Sequence, residues 1–434
     1  MKYLVHLLAA TLIVSGTFPA KAQSLPRPDK YESGSQYLAY PVPERGIPEL
    51  TPAPEGYEPF HMEHYGRHGS RWLISDRQYS YPVLQLQRAD SLGQLSADGK
   101  RLLETLRRVN EASLNRNGEL TPLGHRQHRG IARRMTKNFP ELFRDSVYVD
   151  GKSTVVIRCI LSMANELTEL EKFNPNIILK FDASNFTQST LNHNKHDSIA
   201  RQIIKDKAYL YKDYADKYVD ASYFKSKVFE HPEAVDSAEA VQLYRNVFEI
   251  CVNSQSHDGL YDIYEYFSPD ELYRGWDATN AYWYIRDGDT PLTYNRTPYQ
   301  QDALLKNIIE SADTAMVSPR QSVNLRFGHE SCLLPLTVLM ELNDNAYHTE
   351  DLTTLAEHWR AYETFPMASN VQMIFYRRPG HEPDADDVLV KVLLNEKEAR
   401  LPVAPVSGSY YRWSDLRKYW TEKLARRDSL NPSK

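Results

Sequence analysis

The 434-residue chain is 41% hydrophobic and 25% charged, enough apolar content to bury a substantial core in two or three domains. Its formal net charge of −5 excludes a general nucleic-acid binder, which needs a basic excess. With only Cys159, Cys251 and Cys332 there is no disulfide framework.

The amino terminus reads as a leader. Met1-Lys2 is a short positive start, Tyr3 to Gly16 is mostly apolar, and Ala20-Lys21-Ala22 has the small-x-small form of a cleavage site. A signal peptide over 1–22, with Gln23 as the mature start, implies a secreted or periplasmic protein, its charge becoming −7 once Lys2 and Lys21 leave. No later stretch approaches the roughly 18 apolar residues of a membrane span, so none is expected in the mature protein. Residues 23–57, rich in Pro, Gly, Ser and Glu, read as an extended lead-in.

Pro59 to Tyr65 reads as a short strand that delivers Arg67-His68-Gly69-Ser70-Arg71 to its carboxyl end, where ligands sit in open α/β sheets. Arginine presents planar N–H donors that match phosphate oxygens. A histidine between two such clamps has a ring nitrogen free to attack phosphorus. His61 and His64 fall on opposite faces of that strand, which argues against a metal pair. Leu102, Leu103, Leu106 and Val109 keep helical spacing over 96–114. Thr121-Pro122 is an N-cap followed by proline at the first helical position, opening a helix through Lys137. Its basic run, Arg126, Arg129, Arg133, Arg134 and Lys137, is either a solvated face or an attractor of anions.

Thr154 to Arg158 reads as a strand, with Arg158 at the junction to a helix carrying Leu161, Ala164, Leu167 and Leu170 on one face. Ile177 to Phe181 is another short extended run. From 185 to 300 aromatic residues become dense and β-type alternation disappears. Val241, Tyr244, Phe248 and Cys251 form a helical stripe, and Ser268-Pro269-Asp270-Glu271 is a capping box. This block reads as a helical insertion over a site. His193, Lys195 and His196 within it are loop residues that either reach a substrate or are merely solvated.

Leu304, Leu305, Ile308 and Ala312 mark a returning helix. Val323, Leu325 and Phe327 then alternate as a strand that ends at Gly328, so His329 and Glu330 also stand at a strand end. Asn370 to Tyr376 and Asp387 to Leu394 form a hairpin across a polar loop that contains His381-Glu382-Pro383-Asp384, a solvated turn rather than a metal site. Tyr410 to Leu424 is a terminal amphipathic helix.

Three strand-end signals, Arg67-His68-Gly69-Ser70-Arg71, Arg158 and His329-Glu330, stand in this order with a helical insertion between the second and third. The arrangement resembles the histidine phosphatase superfamily, in its acid phosphatase and phytase branch. It is most similar to the multiple inositol polyphosphate phosphatases through Gly118-Glu119-Leu120-Thr121-Pro122-Leu123-Gly124, Arg158-Cys159 with Ser162, Leu325-Arg326-Phe327-Gly328-His329, Pro366-Met367-Ala368 and Tyr411-Arg412-Trp413. The resemblance implies an α/β core, a mainly parallel sheet with helices on both faces, over 23–184 and 301–434. An all-helical cap would span 185–300.

It further implies a secreted phosphomonoesterase for inositol polyphosphates such as phytate. His68 would be the nucleophile, and Arg67, Arg71, Arg158 and His329 would hold the phosphoryl oxygens. A carboxylic acid would protonate the leaving oxygen. No metal and no cofactor are implied, and the partner is a small phosphate ester. Two positions depart from the family pattern. Leu73 replaces a proline, and His329-Glu330-Ser331 replaces His-Asp or His-Ala-Glu. Glu330 fills the first pattern with one extra methylene, so it is the expected proton donor; a donor elsewhere in the cap is the other possibility. An unperturbed glutamate, with a pKa of about 4.3, suits mildly acidic conditions. The alternative functions are a general acid phosphatase for sugar or organic phosphates and a non-catalytic anion binder.

Overall fold

The computed structural model describes residues 26–41, 46–191, 197–318, 320–380 and 386–430. The leader, the His193 to His196 segment and the His381 to Asp384 turn lie outside them. A single sheet runs through the molecule in the order β3-β2-β4-β1-β5-β6-β7, with β8 paired to β6. Its strands are β1 (Glu58–Arg67), β2 (Tyr148–Ser153), β3 (Ile178–Asp182), β4 (Ser322–Gly328), β5 (Asn370–Arg377), β6 (Leu389–Leu394), β7 (Lys397–Glu398) and β8 (Tyr411–Arg412). β3, β2, β4 and β1 are parallel to one another, and β5 to β8 extend the sheet antiparallel. The α/β class is thus present, with Arg67-His68 and His329-Glu330 at the ends of two strands of its parallel half.

The helices before β4 are α1 (Asp76–Ser91), α2 (Ala97–Ser113), α3 (Pro122–Asn138), α4 (Ile157–Phe173), α5 (Gln188–Leu191), α6 (Ser198–Asp206), α7 (Ala208–Tyr218), α8 (Ser222–Val228), α9 (Ser237–Asn253), α10 (Pro269–Asp287) and α11 (Asp302–Met316). α12 (Glu330–Leu339), α13 (Ala361–Thr364) and α14 (Trp413–Ala425) follow. Local chemistry accounts for several boundaries. Thr121 accepts from the Gly124 N–H and Pro122 opens α3, while Ser268 and Glu271 close a reciprocal capping box at α10.

Alternation along β4 decides how the sheet is sandwiched. Val323, Leu325 and Phe327 pack with Met62, Ile131, Met135, Met163 and Leu167 on the α3/α4 side. On the other face Tyr65 and Phe375 join Leu304, Leu305, Leu333 and Trp413, from α11, α12 and α14. A third core joins Leu243, Tyr244, Val247 and Phe224 of the 185–300 block to Leu86, Leu102 and Leu106 of α1 and α2. The helical layer is therefore built from two chain segments that share one core.

Three readings are corrected. Thr154 to Arg158 is not a strand: β2 ends at Ser153, and Arg158 lies in the first turn of α4. The β-branched run is overridden because pairing stops when the Thr154 N–H reaches the Phe327 carbonyl (3.0 Å) and helix begins at Ile157. On α4 the buried face holds Cys159, Met163, Leu167 and Leu170, while Leu161 and Ala164 point outward. At the carboxyl end, Tyr411 and Arg412 pair with β6 before α14 starts at Trp413.

A close backbone approach fixes the loop after β1. A Cβ at Gly124 would stand 2.3 Å from the Ser70 carbonyl oxygen, and one at Gly69 would stand 2.7 Å from the Gly124 oxygen. Gly124→Ala is expected to cost about 1–3 kcal/mol as an overpacking change and to displace the Gly69-Ser70 backbone. A lower melting temperature together with a reduced kcat checks this.

Candidate active site

Three adjacent parallel strands end side by side. Arg67 on β1 is in register with Gly328 on β4, and Ser153 on β2 with Phe327. The His68 N–H donates to the Gly328 carbonyl at 3.0 Å, which sets the His68 and His329 rings edge to face at 5.8 Å between centroids. Arg158 reaches the same place from the first turn of α4. Thus Arg67, His68, Arg71, Arg158, His329 and Glu330 converge, although β4 is inserted between β1 and β2 in space.

The loop after β1 is held by its neighbours. The Gly69 N–H meets the Ser162 hydroxyl at 3.2 Å, the Ser70 N–H donates to Gln127 Oε1 at 2.8 Å, and Thr121 donates to the Ser70 carbonyl at 3.1 Å. His68 is fully buried, with Nδ1 2.9 Å from the Gly69 carbonyl oxygen. A carbonyl only accepts, so Nδ1 carries the proton and Nε2 is left with its lone pair. Burial and the nearby Arg158 guanidinium push the His68 pKa well below its ordinary value. His329 is held low too, at about 4, by burial and the arginines. Its Nε2 lies 3.2 Å from Thr154 Oγ1.

The arginines are partly satisfied and partly waiting. Arg67 Nη1 donates to the carbonyls of Gln36 and Phe365, both at 2.7 Å, and Nε to Glu330 Oε2 at 3.1 Å. Arg71 Nη1 donates to the Trp72 carbonyl at 2.9 Å. Arg67 Nη2, Arg71 Nε, Arg158 Nε and His68 Nε2 are buried and have no hydrogen-bond partner. Buried donors are seldom left unpaired, so three orphaned guanidinium N–H groups around one imidazole lone pair describe a seat for an anion. His68, His329 and Glu330 also bring one potential ligand atom each within 4.8 Å. Three surrounding guanidinium charges oppose a cation there, so the donor set fits an oxyanion.

Glu330 behaves differently from an unperturbed glutamate. Burial would raise its pKa, but the Arg67 and Arg71 guanidinium groups hold it well below the carboxylate range. The first turn of α12 adds in the same direction. Asp287, at the end of α10, is the contrasting acid: fully buried, with neither oxygen hydrogen-bonded, and pushed up to about 6 by burial.

Some contributors had no sequence signal. The lead-in forms a 3-10 turn, Glu32–Tyr37, that lies against the site. Gln36 supplies a carbonyl to Arg67, and the Tyr37 ring centroid is 5.5 Å from the Arg71 guanidinium carbon while its hydroxyl donates to Glu249 at 2.8 Å. Tyr31, Tyr37 and Tyr40 are scattered through a polar, proline-containing stretch with no periodicity to single out Tyr37. The basic run on α3 is mostly paired elsewhere: Arg126 with Asp258, Arg133 with Glu169, and Arg134 with Glu396. Cys159 and Cys332 are buried, with Cys159 Sγ 3.2 Å from the Gly328 carbonyl and Cys332 Sγ 3.4 Å from the Leu191 carbonyl.

Arg158 has no fixed partner for Nε, so its charge is free for a ligand. Arg158→Ala is expected to lower kcat/KM for phosphate esters by about 10²–10³, the cost of one preorganised donor to a developing oxyanion. Steady-state kinetics with an intact melting curve checks this.

No protein-family model and no curated protein matches the chain. Solved structures do. A multiple inositol polyphosphate phosphatase of Bifidobacterium longum, seen in complex with inositol hexasulfate, superposes with a TM-score of 0.73 at 18% identity, covering 90% of this chain and 97% of that one. A phytase from D. castellii superposes at 0.64 with 13% identity, covering 91% and 85%. The fold that the motif resemblance implies is the fold that the chain has.

Proposed function

We propose that this protein is a phosphomonoesterase of the histidine phosphatase type, acting on inositol polyphosphates through a phosphohistidine on His68. The observation that carries it is the set of orphaned donors on Arg67, Arg71 and Arg158 around the unprotonated Nε2 of His68. That set suits a phosphoryl group both in the ground state and as its oxygens gain charge during transfer. His68 Nε2 attacks phosphorus, the ester oxygen leaves with a proton, and water then cleaves the phosphohistidine. Arg67, Arg71, Arg158 and His329 hold the phosphoryl oxygens, and Glu330 is the proton donor.

The choice of an inositol polyphosphate is supported by likeness to a phosphatase seen with inositol hexasulfate and to a phytase, over nine-tenths of this chain in each case. With the leader read in residues 1–22, the enzyme would act outside the cytoplasm. Phosphate release from phytate by the purified protein across pH 3 to 8, run beside glucose 1-phosphate, tests the reading. Release from phytate is the expected result. Preference for glucose 1-phosphate would shift the substrate class to sugar phosphates, and no release from either would remove the enzymatic reading.

A further inference from the structure

The carboxylate of Glu330 does not stand aside from the anion seat. Its Oε2 lies 3.1 Å from Arg67 Nε and 3.4 Å from His68 Nε2, inside the ring of donors meant for phosphoryl oxygens. No hydrogen bond joins it to His68, because the proton of that ring sits on Nδ1. A carboxylate in this position covers the nucleophile's lone pair and occupies a clamp. It also has no proton to give.

We propose that Glu330 holds the place of a phosphoryl oxygen in the free protein, and that an arriving phosphate ester displaces it from Arg67 and leaves it protonated. Binding itself would then load the acid that later protonates the leaving oxygen. The displacement and the proton uptake stand on the geometry of the seat; the use of that proton in catalysis rests on the phosphatase reading.

The charges that face Glu330 decide the direction. From β1 and its loop come Arg67, His68 and Arg71, and from its own helix start His329. Arg158 and Cys159 face it from α4, Arg286 and Asp287 from α10. Arg67, Arg71 and Arg158 are the groups that a dianion would take over. Once they are neutralised by a ligand, the carboxylate loses its main counter-charges and gains a like charge beside it. Both effects raise its proton affinity. Asp287 acts in the same direction whenever it is ionised. Arg286 opposes them, but its charge is shared with Asp287, 3.8 Å away. The side chain has room to move, with 17% of its surface exposed. The methylene that distinguishes it from the family's aspartate lengthens its reach toward Arg67.

Linkage makes the proposal measurable. If anion binding takes up a proton, lowering the pH strengthens binding by the same coupling. Sulfate is the probe, since it stays a dianion across the range used. Its binding is followed by titration calorimetry between pH 5.5 and 7 in two buffers of different ionisation enthalpy, with wild-type protein and Glu330→Gln. The wild type is expected to take up close to one proton per sulfate, and its affinity to fall about tenfold per pH unit. Glu330→Gln is expected to take up none and to bind with little pH dependence. No uptake by the wild type, or no sulfate binding at all, overturns the proposal whether or not the variant folds. Equal uptake by the variant also overturns it, because the proton would then go to His68. Uptake in a protein that hydrolyses no phosphate ester would leave the coupling standing and sink the phosphatase reading; hydrolysis without uptake would do the reverse.

Discussion

His68→Ala is expected to lower phosphate release from phytate by at least about 10⁴-fold, since removing a nucleophile abolishes the covalent route and leaves only the electrostatic contribution of the site. The same variant is expected to retain anion binding. Its arginines are held by other groups: Arg67 by the Gln36 and Phe365 carbonyls, Arg71 by the Trp72 carbonyl. A phosphohistidine is labile in acid and stable in alkali, so quenching a single turnover at high pH should trap phosphate on the wild-type protein and none on the variant. Full activity in His68→Ala would place the chemistry elsewhere. Activity absent from both proteins, with anion binding in both, would leave a binding protein.

Arg326→Met is expected to cost about 3–5 kcal/mol of stability, the range for removing one partner of a buried ion pair. Arg326 on β4 is paired with Glu63 on the neighbouring β1, both nearly fully buried, and its Nη2 donates to Asn307 of α11 at 2.9 Å. Glu63 also receives His61 Nε2 and Asn324 Nδ2, each at 2.8 Å. These contacts tie the two strands that carry His68 and His329 to the helix behind them. Chemical denaturation of the single variant and of Arg326→Met/Glu63→Leu checks the claim, because removing both charges should restore most of the loss.

The same pair sets part of the acid limit. Burial would raise the Glu63 pKa, but Arg326 and His61 overcome it and hold it at about 2, below the ordinary glutamate value. A depressed carboxylate contributes stability above its unfolded pKa and loses it as pH falls toward the folded one. The loss therefore runs from about pH 4.5 down to about 2 in the wild type, and is expected to begin at higher pH in Arg326→Met. His64 acts earlier. Burial and its neighbours hold it neutral, with a pKa of about 3, so its contribution declines as pH drops below about 6.5. Thermal melts from pH 7 to 3 would display both.

The sequence by itself determined the parts that local rules control. Alternation at Val323, Leu325 and Phe327 follows from the period of a strand. The caps at Thr121 and Ser268 follow from the unpaired N–H groups of a helix start, and the strand-end positions of Arg67-His68 and His329-Glu330 follow from where each apolar run stops. It failed where a local preference was overruled, as at Thr154 to Ile157, where β-branched residues leave the sheet because β4 stops offering partners beyond Phe327. It was silent on Gln36 and Tyr37, since no local pattern says that a polar lead-in will fold back over arginines 30 residues on. Only the tertiary structure decided that β4 lies between β1 and β2, that three guanidinium groups keep donors unpaired, and that Glu330 rests against His68 as a carboxylate. Strand order and counter-charge are set by hydrogen bonds and fields between residues hundreds of positions apart. Spacing along the chain does not carry that information.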